Sequence, residues 1–414
     1  MQLLSFRTHT PPHAVNLNFF GTTMTQAVLI LDAAQRSALA VTRSLGRLPQ
    51  LRVYTAEASA QALAGRSRFS QGFHLSPDPT EAPEDYITWL QNLCTTQQFA
   101  LVIPVTEVTS QLLLLNSARL PEVRLPFASY EKVLQLADKG NLMKLANTLD
   151  IPTPATQFLA SSAELATATL TYPLVIKPCL SKILARSRWI ATSVKIIHSP
   201  EDMEKTLATE LYLKTYPFMI QEFIPGTGAG IFCLYQHGKP TAFFAHRRLR
   251  EKPPQGGISV LSQSAETDPT LKLYAEKLLA AANWHGAAMV EFRVAPDGAA
   301  YLMEVNTRFW GSLQLAIDSG IDFPALMVSN ELGLALPVPT SYKVGQRLRW
   351  LLGDLDSLYL YLRSTYSLRQ KLRRIIAFVT PDFFHTKHEI DRLDDLGPAI
   401  YELKTYVRQL LGRT

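Results

Sequence analysis

The chain has 414 residues, 47% hydrophobic and 18% charged, the balance of an ordinary globular protein with room for two or three cored domains. No apolar run reaches the length of a bilayer span, so no transmembrane segment is expected. The net charge of +6 is uneven: residues 341–414 hold 13 Lys and Arg against 8 Asp and Glu. The nearly neutral remainder argues against a nucleic-acid surface, and the basic end reads as a solvated helical face ahead of a contact with an acidic partner or membrane surface.

Residues 1–23 lack the apolar core of a signal peptide and read as a disordered leader, or as a start codon set too early, since Met24 opens a better domain. AVLILD (27–32), LRVYTA (51–56) and ALVIPVT (100–106) are strand runs separated by helical segments. That alternation predicts an open, Rossmann-like α/β domain over 24–128. Its first turn, LDAAQRS, has no glycine, so the dinucleotide fingerprint is missing and no nicotinamide cofactor is expected. Asp32 and Arg36 lie where such sheets bind ligands, and Asp32 equally suits a structural cap. Cys94, Cys179 and Cys233 are far apart, without metal-ligand spacing, and read as buried thiols of a reducing cytoplasm.

Asp138–Leu149 is a helix with Asp138 as its N-cap, ended by the rigid Ile151-Pro152-Thr153-Pro154. TYPLVIKPC (171–179), WIATSVKII (189–197), a helix from Ser199, and FMIQEFI (218–224) give a small α+β lobe at about 135–222. A larger antiparallel lobe follows to about 335, then a mostly helical extension over 336–414.

The chemistry concentrates in EFRVAPDGAAYLMEVNTR, residues 291–308. Glu304, Asn306 and Arg308 leave one face of a strand, and a hairpin turn at Pro296-Asp297-Gly298 brings Glu291 opposite them. Two carboxylates and an amide oxygen are hard ligands for Mg²⁺, and an adjacent arginine suits a phosphoryl oxygen. A charged, solvated hairpin face is the plainer reading, weakened by the four apolar residues that precede Glu291. Lys177 ends the buried run PLVIK and Lys139 opens a helix; each points a charge into a cleft that calls for an anion. QEFIPGTGAG (221–230) reads as a connecting hinge whose free backbone groups suit a planar base, or as an ordinary strand exit. HRRLREKPPQGG (246–257) sets three arginines, a lysine and a histidine within seven residues, suited to carboxylate or phosphate recognition.

In this order, VIKP, QEFIPG, HRRLRE-x-PP-x-GG and E…ME-V-N-x-R resemble the ATP-grasp superfamily over about residues 24–335. The likeness is nearest to carboxylate–amine ligases related to the large subunit of carbamoyl phosphate synthetase. The resemblance implies an α/β pre-ATP-grasp domain at 24–128 and a two-lobed α+β ATP-grasp domain at 129–335, divided at about 222/223. It also implies ATP with Mg²⁺, Mn²⁺ being a substitute. Lys139 and Lys177 would bind phosphates; Glu222, Phe223 and Ile224 would hold adenine. Glu291, Glu304 and Asn306 would hold the metal, Arg308 would stabilise the transferred phosphoryl group, and Arg250 would bind the substrate carboxylate. Two departures stand out: the family's glycine-rich loop is here CLSKILARSRW (179–189), where Lys182, Arg186 and Arg188 would have to replace backbone contacts, and Ala229 stands where relatives often carry a ribose-binding acid. The expected activity is ligation of a small carboxylate to an amine through an acyl phosphate, by a cytoplasmic homodimer. The alternative is an ATP-binding regulatory protein with weak or lost turnover.

Overall fold

The structure, a computed structural model, describes residues 25–185, 188–254, 257–380 and 385–412. The expected leader therefore lies outside the described residues. β1 (Gln26–Ile30), α1 (Arg36–Leu45), β2 (Leu51–Glu57), β3 (Gly72–Leu75), α2 (Pro83–Thr96), β4 (Leu101–Ile103) and α3 (Glu107–Leu115) form the first domain. Its strands pair in parallel in the order β3-β2-β1-β4. Val28, Leu29 and Ile30 are wholly buried, as expected of a strand covered on both faces. Asp32 has φ +58° and accepts the amides of Val105 and Thr106 at 2.9 Å and the Thr109 hydroxyl at 2.5 Å. It is a structural cap that ties β1 to the start of α3.

α4 (Tyr130–Ala137) and α5 (Lys139–Thr148) follow, and the Asp138 carboxylate caps α5 through the Asn141 amide at 2.9 Å. Leu136, Leu142, Met143 and Ala146 share a core with the large sheet, and α5 also touches the small lobe, its Lys139 amide donating to the Cys179 carbonyl at 2.8 Å. The small lobe holds β5 (Thr156–Leu159), β6 (Leu174–Pro178), β7 (Lys182–Ala185), β8 (Arg188–Ala191), β9 (Lys195–Ile197), α6 (Pro200–Thr209) and β10 (Phe218–Glu222). Its antiparallel sheet runs β5-β10-β6-β9. The apparent single strand WIATSVKII is in fact two: β8 pairs with β7 in a separate hairpin, and β9 pairs with β6. The apolar residues of that run serve two sheets, a division that hydropathy cannot mark.

The large lobe contains β11 (Thr227–Gln236), β12 (Lys239–Lys252), β13 (Ile258–Ala265), α7 (Pro269–Ala281), β14 (Gly286–Val294), β15 (Ala300–Asn306), α8 (Leu313–Ser319) and α9 (Phe323–Leu332). β16 (Arg347–Arg349), α10 (Leu351–Arg363), α11 (Leu368–Val379), β17 (Thr386–His388) and α12 (Leu396–Leu410) complete the chain. The C-terminal region is thus more than helices: β16 and β17 extend the large sheet, in the order β15-β14-β11-β12-β13-β16-β17. It also docks on the first domain. Arg43 of α1 is 2% exposed and donates to the Asp395 carboxylate and to the carbonyls of Glu389 and Ile390, each at 2.8 Å.

Candidate active site

The β14–β15 hairpin builds the centre of the site. Its register sets Glu291 opposite Glu304 and Met289 opposite Asn306, so both carboxylates and the amide share one face. A bulge follows at Glu291/Phe292 and leaves Met303 as the extra residue. The Asn306 amide nitrogen lies 3.1 Å from Glu291 Oε1 and 3.4 Å from Glu304 Oε1. Which end of that amide faces the carboxylates is set by its partners, and a cation there would turn the oxygen inward.

Two buried lysines meet this face from other elements. Lys139, at the start of α5, is 5% exposed and reaches Glu304 Oε2 at 3.3 Å and Ser181 Oγ at 3.0 Å. Lys177, at the end of β6, lies with Nζ 3.4 Å from Met303 Sδ. Burial pulls the Lys177 ammonium down to about 8, although Glu304 opposes the fall. Burial, then the charge of Glu304, push the Glu291 carboxyl up to about 7. Glu304 goes the other way: burial would raise it, but Lys139 and Lys177 hold it below the usual carboxylate range. One carboxylate of the pair is charged and the other is poised to lose its proton.

Arg308 follows β15, donates to the Phe309 carbonyl at 2.9 Å, and lines three adjoining cavities. One of them holds Glu291, Glu304 and Asn306; a second holds Lys139 and Ser181. The third, of about 790 Å³, lies between the first domain and the C-terminal helices. Arg36, Lys182, Lys252, Trp350, Glu402 and Tyr406 are among its walls.

A family model described as ATP-grasp in the biosynthetic pathway with Ter operon matches residues 214–353. Among solved structures, the fold is similar to an L-amino acid ligase from Bacillus licheniformis (TM-score 0.57, 20% identity, 74% of each chain covered). It is also similar to a biotin carboxylase from Campylobacter jejuni (TM-score 0.60, 16% identity, 79% of this chain and 75% of that one). An N5-carboxyaminoimidazole synthase from Aspergillus clavatus in complex with ADP matches too (TM-score 0.59, 18% identity, 78% and 81%). The matched segment and these neighbours give the chain an ATP-grasp fold. No curated protein sequence matches the chain.

Within the ATP-grasp fold, the residues named from sequence separate into three groups. Lys139, Lys177, Glu291, Glu304, Asn306 and Arg308 come together as described. Glu222, Phe223 and Ile224 sit at the join between lobes, where β10 of the small sheet gives way to β11 of the large one. Glu222 is exposed, Ile224 is buried, and the Ile224 carbonyl accepts from Arg293 Nε at 3.3 Å. Gly226 closes this join with φ +144°, and a side chain there would sit 2.0 Å from the Val294 carbonyl oxygen.

Arg250 stands apart. Its guanidinium pairs with Asp354 at 3.1 Å, beside Arg349 and Arg374, and burial brings it down to about 10. Arg248 is the member of the basic strand that enters the site, with Nη2 3.3 Å from Glu291 Oε2. The cause is a bulge in β12, where Arg248 opposes Ser262 but Arg250 opposes Leu261, so the two point to opposite faces. Ser181 and Met303 also went unread in the sequence. Lys182 lines the large cavity, whereas Arg186 and the side chain of Arg188 lie outside the described residues.

Among the described residues no cluster of three or more His, Cys, Asp or Glu side chains is placed to hold a metal. The set here is two carboxylates and one amide, all hard oxygen donors. It fits a divalent cation, because Glu291 and Glu304 face each other across the hairpin and their mutual repulsion already raises one of them.

Proposed function

We propose that this chain is an ATP- and Mg²⁺-dependent ligase that joins a small carboxylate to an amine. The observation behind this reading is the convergence of Glu291, Glu304 and Asn306 with Lys139, Lys177, Arg248 and Arg308 at the cleft between the lobes. Glu291, Glu304 and Asn306 would hold Mg²⁺, which neutralises phosphate charge when bound. Lys139 and Lys177 would bind the nucleotide phosphates. The join at Glu222–Ile224 would take the adenine, with backbone groups reading the ring and Glu222 its amino group.

Arg308 stands where the metal face meets the large cavity, the place for a group that bridges nucleotide and substrate. In the reaction proposed, a carboxylate oxygen attacks the γ-phosphorus and ADP leaves; the amine then attacks the carbonyl carbon of the resulting acyl phosphate, expels phosphate and gives up a proton. No protein nucleophile is needed; charge neutralisation and alignment are. Arg248, rather than Arg250, is the arginine of β12 placed to meet an anion there.

The test is ADP release on mixing the protein with ATP, Mg²⁺ and pooled amino acids and amines, with mass spectrometry of the products. Substrate-stimulated ADP and a condensed product are expected. A regulatory reading rests on the absence of glycine from residues 179–189, whose described part forms the β7–β8 hairpin. Nucleotide binding without stimulated ADP release would select it.

A further inference from the structure

α11 and α12 are amphipathic in the wrong sense for a packed helix. α11 meets the body of the protein through Arg374, which pairs with Asp354 at 2.6 Å, and Phe378, whose ring lies 4.3 Å from the Arg349 guanidinium. Its apolar stripe of Leu368, Leu372, Ile375, Ile376 and Val379 stays in solvent, from 37% exposed at Ile375 to 85% at Leu368. α12 repeats the arrangement. Glu402 and Tyr406 turn inward, to the Trp350 indole and to Asp356, each at 2.6 Å. Leu396, Ile400, Leu403, Val407 and Leu410, spaced four and three apart, face out. A helix normally buries its apolar stripe, so two helices that expose theirs are shaped for a cover.

The charges beside the stripes say what the cover is. At 3.6 residues per turn, Lys371 borders the α11 stripe on one side and Arg369 and Arg373 on the other, and α11 contains no acidic residue. Lys404 and Arg408 border the α12 stripe, while Glu402 is turned away from it. A second copy of the chain would set these cations against their own kind. An anionic surface with an apolar interior satisfies both features at once.

We propose that α11 and α12 form a docking face for an anionic lipid bilayer, with their leucine and isoleucine stripes seated among the acyl chains and the flanking Lys and Arg on the headgroups. No described helix is long and apolar enough to cross a membrane, so the face would lie in the interface plane.

The test is co-sedimentation of the full chain with phosphatidylcholine vesicles, plain or doped with phosphatidylglycerol. Binding is expected only to the doped vesicles and should weaken with salt. Arg369→Gln and Arg373→Gln should each weaken it roughly five-fold. Leu372→Ser together with Ile376→Ser should abolish it while circular dichroism and ADP release stay unchanged, since both side chains are exposed. Equal binding to the two vesicle types, or none, overturns the proposal. So does a dimer, seen by light scattering, that the serine variant makes monomeric. Retention on polyglutamate without vesicle binding would also overturn it and point to an acidic protein.

Discussion

Two charge clusters share strand β12 and differ in how they are closed. At one end Asp354, wholly buried, takes Arg250, Arg349 and Arg374 at 2.6–3.1 Å. Two residues earlier on the strand, Arg248 belongs to the Glu291–Glu304–Asn306 group, where contacts are slacker, at 3.1–3.4 Å, and the carboxylates face a cavity. The Asp354 carboxylate is sealed among the three guanidiniums. In the Glu291–Glu304 pair, Arg248 and Lys139 each reach one carboxylate at 3.3 Å, yet two like groups still face each other beside open space. The same residue types thus make scaffold in one place and open site in the other, and the difference lies in whether the carboxylate is enclosed or faces a cavity.

The largest effects should fall on the central carboxylates. Glu304→Gln removes a charge and little volume, so turnover should fall by roughly a thousand-fold or more with no change in the unfolding midpoint. Asp354→Asn should do the reverse, costing about 3–5 kcal/mol in denaturant titration because three buried guanidiniums lose their partner. If both variants behaved alike, the distinction between open site and scaffold would fail.

The two arginines give a finer contrast. Arg248→Met should lower kcat/KM by about a hundred-fold and leave stability intact, in the range seen when one donor to a reacting anion is removed. Arg250→Met should cost about 1 kcal/mol of stability, since Asp354 Oδ2 keeps Arg349 Nε at 2.8 Å, with kcat/KM nearly unchanged.

The pH profile sharpens the comparison further. In the function proposed, Glu291 would lose its proton to bind a cation and Lys177 would keep its own to bind phosphate, so kcat/KM for ATP should rise through pH 7 and fall through about 8. In the absence of ligand the raised Glu291 works against folding once ionised. Its contribution is intact below the ordinary carboxylate range and is lost as pH rises through 7. The melting increment given by MgADP should therefore grow between pH 6 and 8. The smallest effect is expected at exposed Glu222, where Ala should raise KM for ATP only a few-fold.

Much of this was legible in the sequence because the signals are local. The first parallel sheet follows from three apolar runs, α5 from its Asp138 cap, and the meeting of Glu291, Glu304 and Asn306 from two-residue spacing around one Pro-Asp-Gly turn. What escaped depends on register. Strict alternation along β12 sets His246, Arg248 and Arg250 on one face, and a single bulge, decided by pairing with β13, sends Arg250 to the other. β16 and β17 have three residues each, too short for a periodicity, and exist because the edge of β13 offers unpaired backbone groups. The inverted α11 and α12 show a clear stripe in sequence, but which side meets the body is a tertiary fact.

Arg43 also bears on how the molecule is made. The first domain emerges from the ribosome with an arginine on the face of α1 that the closing segment later covers, and its partners, Glu389 to Asp395, are about 350 residues downstream. Until they arrive, that guanidinium has no carboxylate, and α1 has no finished surface to offer. Synthesis and folding therefore cannot proceed domain by domain to the end; the opening domain must wait for the closing segment. A shortened chain lacking residues 341–414 should lose that domain's order as well as its own tail.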